Sequence, residues 1–244
     1  MSRPIRLVIL LVALALTGSA QSISSPSAPA QAATDRHVCA GVSGCHQVAS
    51  VDVDGDGQPD EVGIASRRIV DDGSITVRVR TATGHMLQTT GRHVFWFAKP
   101  YVGAPALDGA KGAEIVVGDT MGAHYQRFRV VTYRSGRLVT LKAPPLVWTK
   151  AGLAASTARW EVDGAWSSAV GAARTSSVEN GVRLTLKSAV RNESGTGHTG
   201  YTTSYRWQSG GWTKVSATRV DYASDKAPAA LGGWHVAGLP RFVG

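Results

Sequence analysis

Four aspartates fall within nine residues in the segment Val51-Asp52-Val53-Asp54-Gly55-Asp56-Gly57-Gln58-Pro59-Asp60-Glu61. Asp52, Asp54, Asp56 and Asp60 stand at positions 1, 3, 5 and 9 of a calcium-loop spacing, and Gln58 stands at position 7, where a backbone carbonyl coordinates. Carboxylates crowded this closely repel one another unless a cation neutralises them, and Ca²⁺ accepts roughly six to eight oxygens in flexible geometry. Gly55 and Gly57 allow the backbone reversal that aims the side chains inward. Position 12 is Gly63 where an EF-hand needs Glu, and Val62, Ile64 and Ala65 continue as a strand, so an EF-hand is excluded. The expected metal ligands are the side chains of Asp52, Asp54, Asp56 and Asp60 and the carbonyl of Gln58.

Two cysteines, Cys39 and Cys45, enclose Ala-Gly-Val-Ser-Gly, whose glycines permit a small ring. In an oxidising compartment they are expected to form a disulfide. The alternative is zinc held by His37, Cys39, Cys45 and His46, although this spacing fits no standard finger or knuckle. Other constellations carry less. Gly195-Thr196-Gly197-His198-Thr199-Gly200 matches a dinucleotide glycine pattern, but no βαβ unit surrounds it and a hairpin loop is the better reading. His85, His93, His124, His198 and His235 lack ligand spacing, and pairing them with Asp108 or Asp163 and a serine as a catalytic triad has only composition behind it. Trp160, Trp166, Trp207, Trp212 and Trp234 fit burial between sheets better than a carbohydrate platform. Asn192-Glu193-Ser194 has the form of a glycosylation sequon.

The elements that must position these residues alternate with period 2. Ile75, Val77 and Val79 alternate with Thr76, Arg78 and Arg80, and Val182, Leu184 and Leu186 with Arg183, Thr185 and Lys187. Phe128 and Val130 alternate with Arg127 and Arg129 before the turn Ser135-Gly136, which predicts a hairpin over 127–141. Tyr205 and Trp207, then Ser209-Gly210-Gly211, then Trp212 and Val215 predict a second. Almost no helical periodicity is present, so the fold class is all-β. Asp-Gly recurs at 54–55, 108–109 and 163–164, a spacing of 54 and 55 residues that resembles a blade-like repeat. Two architectures fit: a compact or incomplete propeller-like stack, or a two-sheet sandwich.

The chain has 244 residues, 28 Gly and a formal net charge of +9, with 19 Arg against 7 Lys. That composition resembles exported proteins of high-GC actinobacteria. Arg3 and Arg6, the apolar run Leu7 to Leu16 and small residues up to Ala20 predict a signal peptide over 1–20, with Ala30-Gln31-Ala32 as a second cleavage option. A Ser/Ala/Pro-rich linker is expected over 21–36, the all-β domain over 37–224 and an irregular tail, or docking strand, over 225–244. The apolar run is too short to span a bilayer, which takes about 20 residues. No transmembrane segment is expected in the mature form, and the location is secreted or cell-wall associated. Basic charge outside the cell points to an anionic envelope polymer or carbohydrate as partner, and export makes nucleic acid an improbable one.

Residues 48–66 resemble the FG-GAP or VCBS repeat, in which an Asp-x-Asp-x-Asp-Gly-x-x-Asp loop precedes a strand in each blade. Leu107-Asp108-Gly109-Ala110-Lys111-Gly112-Ala113-Glu114 is a weaker echo, with Ala110 in the place of Asp56 and Glu114 in that of Asp60; Asp163-Gly164 keeps less. The resemblance implies one occupied, structural calcium site and two degenerate blades. It implies a non-catalytic module for binding or scaffolding at the cell envelope. A secreted hydrolase with an unrecognised active site and a wall protein without a ligand are the alternatives.

Overall fold

Alternating β-branched residues place one face of each strand in the core, and the strands form where that alternation predicts them. The computed structural model describes residues 37–69, 72–93, 99–147, 159–224 and 226–243. The expected signal peptide and linker lie outside these residues. Strands β1 (Cys45–Val51), β2 (Asp60–Ile69), β3 (Asp72–Arg80) and β4 (Met86–His93) make a four-stranded antiparallel sheet in chain order. The same order recurs in β5 (Tyr101–Gly103), β6 (Ile115–Met121), β7 (Tyr125–Arg134) and β8 (Arg137–Leu141). It recurs again in β9 (Trp160–Asp163), β10 (Ser168–Ser177), β11 (Gly181–Arg191) and β12 (His198–Gln208), with β13 (Gly211–Tyr222) added at the edge.

The second and third groups belong to one sheet because β7 divides its length. Val130 to Arg134 pair with β8, whereas Tyr125 to Phe128 pair with β9. Neither sheet closes on itself. The fold is all-β, and residues of its two sheets share a buried cluster, an arrangement compatible with a sandwich. Val62, Ile64, Ile75, Val77 and Val79 of the small sheet meet Ile115, Val117, Val131 and Leu138 of the large one in one buried cluster. A second cluster gathers Val116, Phe128, Val130, Trp160, Val162, Leu184, Tyr205 and Trp234. Successive residues of β6 thus serve different clusters, which explains its unbroken apolar run Ile115-Val116-Val117. Each such side chain contributes about 1.5–3 kcal/mol when fully buried.

Both predicted hairpins are present. Ser135 and Gly136 (φ 48° and 81°) and Ser209 and Gly210 (φ 50° and 81°) have positive φ at both central positions, the two-residue turn whose twist matches that of its strands. The 195–200 glycine pattern lies at the β11–β12 connection, where His198 is buried and its Nε2 is 3.0 Å from the Trp166 carbonyl. Trp160 and Trp234 are core residues, Trp207 and Trp212 are half-buried, and Trp166 is exposed with the Arg191 guanidinium 3.2 Å from its ring centroid.

The C-terminal segment carries the docking strand, the second of the two readings of 225–244. A short helix, α1 (Ala227–Leu231), leads into β14 (Gly233–His235), which pairs parallel with β10 and brings Trp234 and Val236 into the second cluster. Gly171 makes this docking possible, because a Cβ there would stand 1.8 Å from the Leu231 carbonyl oxygen. No helix among the described residues is long and apolar enough to cross a membrane.

Cys39 and Cys45 are disulfide-bonded, which removes both thiolates from the zinc alternative. His37 instead places Nε2 2.8 Å from Gln47 Oε1, and His46 is exposed. The bridge closes a ring before β1, the strand that leads into the acidic loop. Replacing both cysteines with serine is expected to cost about 2 kcal/mol by loop-closure entropy. Thermal melts would show this as a drop of roughly 4–8 °C, against an unchanged melting temperature if the ring adds nothing.

Candidate metal centre

The three Asp-Gly turns share a position in the sheet and one hydrogen bond, and the first two share a backbone conformation as well. Each stands between a short strand and its antiparallel partner: β1 and β2, β5 and β6, β9 and β10. Each is preceded by a buried apolar residue, Val53, Leu107 or Val162. In each the aspartate Oδ1 accepts the backbone N–H two residues on: Asp56 to Asp54 at 3.1 Å, Ala110 to Asp108 at 2.8 Å, Ala165 to Asp163 at 2.9 Å. Gly55 and Gly109 share the same left-handed φ of 81°.

The first two turns also share a latch. The Val53 N–H donates to Asp60 Oδ2 and the Leu107 N–H to Glu114 Oε2, both across seven residues, and both carboxylates are fully buried. This is the correspondence of Glu114 with Asp60 expected from the sequence. The two loops touch as well: the Ala113 N–H donates to the Asp52 carbonyl at 2.8 Å, and a Cβ on Gly112 would stand 2.2 Å from the Val53 carbonyl oxygen.

The turns differ in what neutralises them. At the second, Arg134 at the end of β7 pairs through Nη2 with Asp108 and lies 3.8 Å from Glu114 Oε1. At the third, His124 donates from Nδ1 to Asp163 Oδ1 at 3.0 Å, and the Ser168 hydroxyl donates to Asp163 Oδ2 at 2.6 Å. At the first, no ion pair reaches the carboxylates among the described residues. β3 ends at Arg80 and the hairpin turn over 81–85 follows at once, whereas β7 runs on to Arg134, so no strand residue of the small sheet stands where Arg134 reaches the second turn.

Instead, Asp52, Asp54 and Asp60 converge, each offering an oxygen within 4.8 Å of the other two. Ca²⁺–oxygen distances of about 2.3–2.6 Å let two ligands stand at most about 5 Å apart, so the three fit one ion. Asp60 also accepts the N–H groups of Asp54 (3.2 Å) and Ala82 (2.8 Å), and Asp52 those of Gly55 (2.7 Å) and Gly57 (3.0 Å), which hold these side chains in place. Burial pushes the Asp54 carboxyl above the usual range, helped by Asp60, Asp56 and Asp52 and opposed by the Asp56 N–H. The Asp56 carboxylate is not part of the convergence; it is exposed and accepts the Gln58 N–H at 2.7 Å.

At the second turn the burial of Glu114, with the Asp108 charge beside it, raises its carboxyl to about 7 against the N–H of Leu107, the hydroxyl of Thr132 and Arg134. Arg134 and His124 carry no local sequence signal, because each reaches its turn only through strand pairing. No protein-family model, curated protein or solved structure matches the chain.

Proposed function

We propose that the chain is an exported, non-catalytic β-module of FG-GAP/VCBS type, stabilised by one Ca²⁺ at residues 52–60, that binds or scaffolds at the cell envelope. The three groups of four strands, each carrying an Asp-Gly turn, support a propeller-like stack of three blade units left open at its ends. One observation carries the metal assignment: at the second and third turns a side chain of the chain itself, Arg134 or His124, engages the aspartate, while the first has a convergent carboxylate trio with no side-chain partner among the described residues. Side chains of Asp52, Asp54 and Asp60 would ligate the ion. Asp56 and the Gln58 carbonyl would complete the shell after a local closing of the exposed half of the loop. The ion would neutralise the trio and fix the strand entry, supplying no chemistry on a substrate.

Calcium titration followed by melting tests this reading. At a hundredfold excess over its dissociation constant the ion adds about 2.7 kcal/mol, a rise of roughly 5–10 °C that a chelator reverses. Asp54→Ala is expected to abolish the response. A melting temperature indifferent to calcium in the wild-type protein would overturn the metal assignment. Salt-sensitive retention on cell-wall material tests the envelope role, and wild-type protein that passes through unretained would overturn that part.

A further inference from the structure

The ten-stranded sheet opens where β7 changes partners. Arg129 lies between Phe128, paired with β9, and Val130, paired with β8. At this junction a surface cavity of about 430 Å³ is lined by Arg127, Arg129, Lys142 and Arg159, against the carboxylate of Asp119. A larger cavity of about 900 Å³ holds Trp207, Trp212 and Arg134 and shares Thr140, Leu141 and Lys142 with the first. The basic cavity and the aromatic one thus adjoin along Thr140–Lys142, and together they are called the groove below.

Its side chains are held in place. The Trp212 indole N–H donates to the Lys142 carbonyl at 2.8 Å, and its ring meets Trp207 edge-to-face at 5.2 Å and the buried Trp160 at 6.2 Å. Several of the cations are already engaged: Arg127 pairs with Glu161, Arg129 donates to the Ile75 carbonyl at 3.0 Å, and Arg134 serves Asp108. Lys142 and Arg159 are exposed and make no ion pair among the described residues. A groove with fixed, half-buried indoles next to two uncommitted cations calls for a ligand that has both ring faces and negative charge.

We propose that this groove binds an acidic polysaccharide, with the C–H face of a sugar ring against the Trp212 indole and uronate carboxylates on Lys142 and Arg159. A linear polyol phosphate supplies the charge but no ring to stack. This inference rests on the envelope-binding reading and names the chemistry of its partner.

Affinity electrophoresis of the full chain through gels containing polygalacturonate tests it, with dextran, polyphosphate and oligothymidylate gels beside it. Polygalacturonate is expected to retard the wild-type protein in a salt-sensitive way, and dextran is not. Lys142→Glu with Arg159→Glu is expected to weaken retardation at least about tenfold, with an unchanged melting temperature because both side chains are exposed. The Gln pair serves as the milder variant, and Trp212→Phe is expected to keep part of the affinity. Equal retardation of wild type and the charge-reversed pair, stronger retardation by polyphosphate or oligothymidylate, or none by polygalacturonate would each overturn the inference. The envelope reading fails separately, on wall material: wild type and the charge-reversed pair retained alike would leave it standing while removing the groove, and a wild type not retained would remove it even if polygalacturonate binds.

Discussion

Asp60→Ala is expected to lower the melting temperature by roughly 10 °C in calcium-free buffer, the largest effect of any single aspartate in the loop. The side chain is fully buried and accepts three backbone N–H groups, from Val53, Asp54 and Ala82. Hydrogen bonds to a charged acceptor are worth about 1.5–3 kcal/mol, and a buried donor left without one costs the desolvation of the group. Even with partial relaxation the loss is on the order of 4 kcal/mol. Asp54→Ala in the same buffer removes one bond from a half-buried turn and should leave the melting temperature within a few degrees. Calcium therefore separates the two variants: Asp54→Ala loses only the ion's contribution, whereas Asp60→Ala loses the loop as well. Similar melts for both in the presence of chelator would show that Asp60 is not a latch.

Between pH 4.5 and pH 7 the calcium-free protein is expected to lose stability on the order of 3 kcal/mol through Glu114. The folded chain holds the Glu114 proton up to about pH 7, whereas the unfolded chain releases it near 4.5. In that interval the folded state binds more protons, so stability is fully present below the unfolded value and falls as pH rises through the folded one. Glu114→Gln removes the titrating group while keeping an oxygen for the Leu107 N–H. Urea unfolding at a series of pH values should then give a flatter curve for the variant by about that amount. Parallel curves for the two proteins would place the Glu114 carboxyl at an ordinary value.

Much of this was legible in the sequence because it is local. Alternation at Ile75-Val77-Val79 and Leu184-Leu186 marks strands that are buried on one side, and Ser-Gly dipeptides at 135–136 and 209–210 mark turns whose φ angles only a few residues adopt easily. The three Asp-Gly pairs and the match of Glu114 to Asp60 are also local spacings. Arg134 and His124 were not legible, since the partner of each is set by strand register across 26 and 39 residues. A docking strand within 225–244 was legible only as one of two readings, and its partner was not: the three residues of β14 include no alternation, and parallel pairing with β10 has no turn to announce it. The spacing of Asp56 is as regular as that of Asp52 and Asp54, yet its side chain faces solvent; an ion's coordination shell depends on the curl of the loop, which spacing alone does not fix.

The shared strand β7 has a consequence for how the chain can be cut and recombined. A length that ends after β8 would leave the first half of β7 as a raw edge, its amide groups from Tyr125 to Phe128 deprived of β9 and Trp160 missing from beneath. Spacing along the chain and separability in space therefore part company: β7 binds the second and third groups of four strands into one sheet, and neither can be excised without leaving the other an unpaired edge.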